Sequence, residues 1–294
     1  MPSDFKKIPT ACVLCGATSS EATEVYPERL DDESVGEHSY AACRYDGKIG
    51  HFRVVKCLRC GLLRSDPIFD TELIAKLYDK SPVTSAYQAS SANLARTYAH
   101  YLEMAALNLS SKSSLLDIGC GNGALLAMAL SLGFPNVTGV EPSEEAIRQA
   151  DPKVRSHIMH GVFKPNLFEP NSFDAVCLFQ VIEHVPNPLA VLRESLRLLR
   201  PDGVFVALNH DLGSWSVRLA GESSPVIDLE HLHFFNRRTM RLIFEKAGFE
   251  IVEQGRAWNY HSLSYLASLI GLKVKSSLTL HLPIGNQYLI ARKK

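Results

Sequence analysis

What this 294-residue chain lacks narrows its class before any motif is read. It has no surplus of either charge, since 31 lysines and arginines balance 31 aspartates and glutamates. A broad phosphate-binding surface needs a net basic face, so nucleic acid is not an expected partner. No apolar run is long enough to span a bilayer; residues 263–272 are too short and too mixed. The first ten residues have no apolar core of the signal-peptide kind. A cytoplasmic, soluble protein is therefore expected. Disorder is not, because hydrophobic residues make up 46% of the chain and can build a sizeable core. The length suits one full domain with a smaller companion. Nothing in the sequence speaks to oligomeric state.

Cysteine is also scarce, seven in all, yet four fall into two copies of one pattern. Cys12-Val13-Leu14-Cys15-Gly16 and Cys57-Leu58-Arg59-Cys60-Gly61 are C-x-x-C-G knuckles. Each offers two thiolates from one tight turn. Two such turns complete the four-sulfur tetrahedron of a structural zinc ion, with no position left open for substrate. The 41 residues between them exceed the common spacing, so a zinc ribbon with an inserted loop is expected over 1–68. The competing readings are disulfides, which are rare without export, and a redox C-x-x-C, which normally occurs once. Cys43 reads as a buried small side chain or a spare ligand.

The most informative stretch is Ser114-Leu115-Leu116-Asp117-Ile118-Gly119-Cys120-Gly121-Asn122-Gly123, followed by the apolar residues 124–130. This is strand, glycine turn, helix. Glycine is required where the turn takes conformations closed to other residues and brings backbone against a ligand. A dinucleotide fingerprint would be G-x-G-x-x-G. Here the third glycine comes one residue early and an acid precedes the first, which suits a cationic ligand better than a pyrophosphate. The next strand, 136–140, ends at Glu141-Pro142. An acid about 20 residues beyond such a turn can accept both hydroxyl protons of a ribose diol. The alternative is that Glu141 merely starts the helix over 143–148.

On these residues the chain resembles class I S-adenosylmethionine-dependent methyltransferases over about 111–294. The matching words continue with Phe173-Asp174-Ala175-Val176, Val181-Ile182-Glu183-His184-Val185 and Leu199-Arg200-Pro201-Asp202-Gly203-Val204. With the knuckles in front, it is similar to zinc-ribbon sugar C-methyltransferases and ubiquinone-type methyltransferases. The resemblance implies an α/β, Rossmann-like fold with helices on both faces of a seven-stranded sheet, the last strand inserting antiparallel. It implies S-adenosyl-L-methionine as cofactor, with Asp117, Gly119, Cys120 and Gly121 on its methionine side and Glu141 on its ribose. Phe179 and Gln180, at the end of the fourth strand, would lie beside it. The acid that often follows the third strand to read adenine is missing from His160-Gly161-Val162-Phe163, which leaves Val162 as a candidate contact.

The region 69–110 would form a helical cap over the cofactor, with helices over 69–78 and 92–107. Among its tyrosines, Tyr87, in the loop before the second helix, is the first choice to face the sulfonium; core packing is the competing reading for each. Two segments, 210–236 and 258–285, read as substrate or lid insertions. The first carries Asp228-Leu229-Glu230-His231-Leu232-His233, then Asn236 as a helix cap. The resemblance implies His231 as a base, oriented by Glu230 or Asp228, with His184 as a further candidate. Loop anchoring is the competing reading for both histidines. The expected activity is methyl transfer to a small-molecule acceptor, on carbon or oxygen. The alternatives are an RNA methyltransferase that grips nucleic acid through its ribbon, and a non-catalytic cofactor-binding module.

Overall fold

A computed structural model of the protein describes residues 6–30, 35, 50–80, 85–268, 272, 274 and 276–293, without the side chains of 85–91, 265 and 268. Cys43 lies outside the described residues, as does the turn expected at Asp46-Gly47.

The main sheet has seven strands: β1 Ser114–Ile118, β2 Asn136–Glu141, β3 Ile158–His160, β4 Phe173–Phe179, β5 Leu199–His210, β6 Phe249–Arg256 and β7 Asn286–Lys293. Their spatial order is β6-β7-β5-β4-β1-β2-β3. The first five run parallel, and β7 lies antiparallel to both β5 and β6. The expected seven-stranded α/β architecture is thus present, with its last strand inserted antiparallel.

The central strands are apolar on both faces because both faces are covered by helices. All seven residues of β4 are buried. Alternation sorts them: Val176 and Leu178 join Leu116, Ile118, Phe205 and Ala207 in one core. Ala175, Cys177 and Phe179 join Leu115, Val204 and Val206 in the other. Helices Pro188–Leu198 and Arg237–Ala247 close the first core through Leu192, Leu198, Met240, Ile243 and Phe244. Helices Ser85–Ala106 and Ala124–Ser131 close the second through Tyr101, Leu102, Leu125 and Leu126. Asn236 caps helix Arg237–Ala247 as expected, its Oδ1 accepting from the Thr239 amide at 3.0 Å, and Gly248 ends it with φ +105°.

Two boundaries differ from the sequence reading. Helix Ser85–Ala106 starts seven residues before the expected 92, so Tyr87 falls on the helix and not in a loop ahead of it. Its side chain lies outside the described residues. The serine-rich start, Ser85-Ala86-Tyr87-Gln88-Ala89-Ser90-Ser91, lacks the apolar period that marks a buried face, which hid the first two turns. Helix Thr71–Asp79 begins two residues after the expected 69, where the Asp70 carboxylate accepts from the Glu72 and Leu73 amides.

The front module is a four-stranded antiparallel sheet in the order His233–Phe234, Leu63–Ser65, Val54–Cys57, Ala22–Tyr26. Its edge strand, His233–Phe234, comes from the insertion after β5, so the first 68 residues do not complete their own sheet. The knuckles pack on the first core, where Lys246 Nζ donates to the Leu14 carbonyl at 2.6 Å and Arg238 to the Cys60 carbonyl at 2.8 Å.

The buried Asp174 carboxylate pins β4 to its neighbours. Asp174 Oδ2 accepts from the Ser113 and Ser114 amides at 2.9 and 2.8 Å, and Arg200 lies 2.9 Å from the same carboxylate. Burial alone would raise the Asp174 pKa, but Arg200 and the Ser114 donors outweigh it and hold the carboxyl below its ordinary value. Asp174→Asn should lose about 1–3 kcal/mol at neutral pH, with little of that from the half-exposed Arg200. Because the folded pKa is depressed, this stabilisation exists above the unfolded value and fades as pH falls through the folded one. Urea melts at pH 7 and pH 3 should show the gap between variant and parent narrowing at the lower pH; a gap that widens would contradict this account.

Candidate active site

A cavity of about 1230 Å³ opens over the carboxyl ends of the parallel strands, where open α/β sheets bind ligands. At one end lies the glycine turn. Gly119, Gly121 and Gly123 all have positive φ, at +73°, +54° and +71°. The Gly119 amide donates to the Val140 carbonyl at 2.8 Å, closing the turn against β2. A Cβ on Gly119 would come within 2.4 Å of the Val181 side chain, and one on Gly139 within 2.4 Å of Cys120 Sγ. Cys120 therefore spends its thiol on packing against a strand that has no side chain at that point.

Glu141 clips the turn in place. Its Oε2 accepts from the Gly121 amide and its Oε1 from the Ser143 amide, each at 2.8 Å. Asp117 is buried beside it at the end of β1. Burial pushes the Asp117 carboxyl well above its ordinary pKa, and the Glu141 carboxylate adds to the shift. Glu141 is raised by burial too, with the Ser143 and Gly121 amides pulling the other way. Two buried carboxyls in one crevice make an electronegative seat, and a cation placed there relieves both.

Phe179 and Gln180 line the same cavity. Tyr98 of the cap helix stacks on Phe179, centroids 4.7 Å apart and planes 14° from parallel. Gln180 has φ +55°, rare for a side-chain-bearing residue, and its buried Oε1 has no hydrogen-bond partner among the described residues. Strain together with an unsatisfied acceptor is costly unless a ligand uses it. Val162 also borders the cavity and is half exposed.

The opposite wall carries His184, His210, Asp228 and Glu230. Tyr78 and His184 Nδ1 share a hydrogen bond of 2.8 Å, and Glu230 Oε2 lies 3.8 Å from the same nitrogen. His231 is only 1% exposed and is not among the cavity-lining residues; it stands behind this wall, its ring 4.6 Å from His184 and 5.0 Å from His210. Asp228 Oδ1 sits 2.9 Å from His231 Nδ1 and accepts from the Glu230 and His231 amides at 3.0 Å. Asp228, one of the two expected orienting acids, is thus the one against the ring. His233 is buried with Phe234 in the front sheet, where desolvation pushes its pKa down to about 4.

The four cysteines converge. Cys12 Sγ lies 3.4 Å from Cys60 Sγ and Cys15 Sγ 3.4 Å from Cys57 Sγ, with all four sulfurs within 4.8 Å of one another. The knuckles repeat one hydrogen-bond pattern: the Gly16 and Gly61 amides donate to the Cys12 and Cys57 carbonyls at 2.7 and 2.9 Å. The Cys12 and Cys57 amides in turn donate to Ala17 and Leu62 at 2.8 and 2.9 Å.

Residues 90–254, more than half of the chain, match the family model described as a methyltransferase domain. The chain belongs to that family. It is a class I S-adenosylmethionine-dependent methyltransferase with a four-cysteine module in front. The methyltransferase is 30% identical over 172 residues to a ubiquinone biosynthesis O-methyltransferase of Cupriavidus pinatubonensis, a match covering 53% of this chain and 67% of the relative. It is 33% identical over 128 residues to the protein of the same name from Dechloromonas aromatica, covering 40% and 53%. Other relatives of that name are matched over as little as 44% of their length. A SAM-dependent methyltransferase from Archaeoglobus fulgidus shares the fold, with a TM-score of 0.50 at 17% identity over 71% of this chain and all of that one. Among the described residues no helix is long and apolar enough to cross a membrane.

Sequence reasoning missed His210 as a member of the wall. It also left Tyr78 and Tyr98 behind Tyr87. The turn end of the cavity predicts its own steric test. Gly119→Ala combines left-handed backbone with the Val181 clash and should cost about 1–3 kcal/mol. Adding Val181→Ala should recover the clash but not the backbone share, so chemical denaturation should place the double variant between the single one and the parent. An unaffected Gly119→Ala would mean that the turn is not built as described.

Proposed function

We propose that this methyltransferase transfers a methyl group from S-adenosylmethionine to an oxygen of a small-molecule acceptor, within the cavity over the sheet. The carrying observation is that one continuous space joins an electronegative glycine cradle to a wall of proton-handling side chains. Its volume exceeds that of an ordinary single-ligand pocket, which leaves room for cofactor and acceptor together.

The fit with the cofactor rests on chemistry already in the crevice. Asp117 and Glu141 are buried carboxyls that a cation would relieve, and Gln180 has an acceptor to spare. In this reading Asp117, Gly119, Cys120 and Gly121 hold the amino-acid side. Glu141 keeps the turn closed and offers its remaining lone pairs to the ribose. Phe179, stacked under Tyr98, and Gln180 border the sulfur, with Tyr87 on the same cap helix. When bound, S-adenosylmethionine supplies an electrophilic methyl. The chain contributes position first: holding acceptor and donor in line is worth about 7–11 kcal/mol of barrier. Glu230 and His184 receive the acceptor proton, worth roughly 10²–10⁴-fold. Tyr78 fixes the His184 ring. His231 supports this wall from behind, clamped by Asp228. Oxygen as the accepting atom follows the names of the matched relatives.

The front module reads as a structural zinc site of Cys12, Cys15, Cys57 and Cys60. A tetrahedron with Zn–S of about 2.3 Å has sulfurs about 3.8 Å apart, close to the spacing found. Because Lys246 and Arg238 occupy carbonyls of both knuckles, the module's inner side is docked on its own chain, which disfavours a nucleic-acid grip. Metal analysis should find zinc in the purified protein, and Cys57→Ser should release it and lower the melting temperature. Zinc retained in full by that variant would exclude the assignment.

Calorimetric titration tests the cradle. Affinity for S-adenosylmethionine should fall as pH is lowered, beginning above the ordinary carboxylate range, because Asp117 takes up its proton early. Asp117→Asn should bind at least tenfold more weakly and lose most of that pH dependence. Equal binding in variant and parent across the range would refute the cradle.

A further inference from the structure

We propose a second metal site in this protein, formed by Glu183, His210 and His231 and suited to a divalent transition ion. Their ligand atoms all lie within 4.8 Å of one another, the span of one shared coordination sphere. The three come from separate places: the loop after β4, the end of β5 and the insertion that follows it. Two imidazoles and one carboxylate form the mixed nitrogen and oxygen set that binds zinc, iron(II) or cobalt(II) while leaving positions open.

The second observation is how the rings are held. His231 Nδ1 faces the Val226 carbonyl at 2.8 Å and Asp228 Oδ1 at 2.9 Å, both acceptors, so this nitrogen carries the proton and Nε2 presents its lone pair. His210 Nδ1 lies 2.8 Å from Asn286 Oδ1. Asn286 donates its amide nitrogen to Asn259 Oδ1 at 3.3 Å, which fixes its oxygen toward the ring. His210 thus also presents Nε2. Glu183 Oε1 accepts from the His210 amide at 3.3 Å, tying the carboxylate to the same corner. Histidines anchored through one nitrogen to a carboxylate or amide oxygen, with the other nitrogen converging on a shared point, are the standard support of metal ligands. His210 is the member that lines the cavity, so the site borders it. This set differs from the four-thiolate cluster in donor type, and cobalt(II) tells the two apart.

The test uses the full chain with zinc already in its cysteine cluster, titrated with cobalt(II) chloride. The expected result is one further ion per chain, giving weak visible d–d bands without the intense sulfur-to-cobalt charge-transfer band. His210→Ala and His231→Ala should abolish the bands. Glu183→Gln should weaken binding tenfold or more. Asp228→Asn, a positioning change, should weaken it about 10–100-fold. Circular dichroism of each variant separates lost ligation from lost fold, and Glu183→Gln is the mildest probe of the corner. No bands in the parent, bands undiminished in all folded variants, or bands with thiolate charge transfer would each overturn the site. Because the readout needs neither cofactor nor acceptor, its failure would leave the methyl-transfer reading standing, and the reverse.

Discussion

The Glu141 carboxylate is the tie on which the cofactor end of this fold depends. A turn of three left-handed glycines has no side chains at those positions, and while the Val140 carbonyl takes the Gly119 amide, the Gly121 amide needs an acceptor from elsewhere. Glu141 reaches back twenty residues to take the Gly121 amide while its other oxygen takes the Ser143 amide at the start of the next helix. One buried carboxylate therefore joins the Gly119–Val140 hydrogen bond in fixing the turn against β2. Burying that charge is unfavourable, and Asp117 beside it makes matters worse. The crevice is built to be relieved by a ligand of opposite sign, not to be comfortable empty.

That arrangement explains why this end of the site was legible in sequence. Turn, strand and acid are local: Asp117 to Glu141 is one βαβ unit, and each residue type answers a requirement of its immediate backbone. The knuckles were legible for the same reason, since each pair of thiols comes from one turn. The fold class followed from the family resemblance that the glycine turn and the later matching words carry. What stayed hidden depends on pairing across long separations. Nothing around residue 233 announces that His233–Phe234 extends a sheet made by residues 22–65. Nothing around residue 210 announces that His210 will stand beside Glu183 and His231, because those contacts are set by the packing of the whole sheet. The cap helix was underestimated where serines replaced the apolar period that marks a buried face.

His231 shows the limit of motif reading. The acid-rich context of Asp228-Leu229-Glu230-His231 drew attention to this segment, and the structure places the His231 ring beside His184 and His210, behind the cavity wall. Register then decides which side chain meets the cavity. Asp228 folds back on the amides of residues 230 and 231, a turn that sends Glu230 toward the cavity and His231 into the wall. A histidine at 1% exposure with its Nδ1 already engaged is a poor shuttle to solvent and a good fixed point.

The same segment couples the two modules. The Leu232 and His233 amides donate to the Glu183 carbonyl at 2.8 and 3.1 Å, the Ser65 amide to the Leu232 carbonyl at 3.0 Å, and Ser65 Oγ to the His231 carbonyl at 2.9 Å. Residues 231–233 are thus a short splice between the front sheet on one side and the loop after β4 on the other. Strand Leu63–Ser65 follows directly from the second knuckle, so the four-thiol corner fixes where that strand begins. A loosened corner would move Ser65, then the splice, then the side chains at 230 and 231, without touching the cradle at the other end of the cavity. The front module thus abuts the cavity wall that carries His184 and Glu230, while the glycine turn at the other end rests on the main sheet.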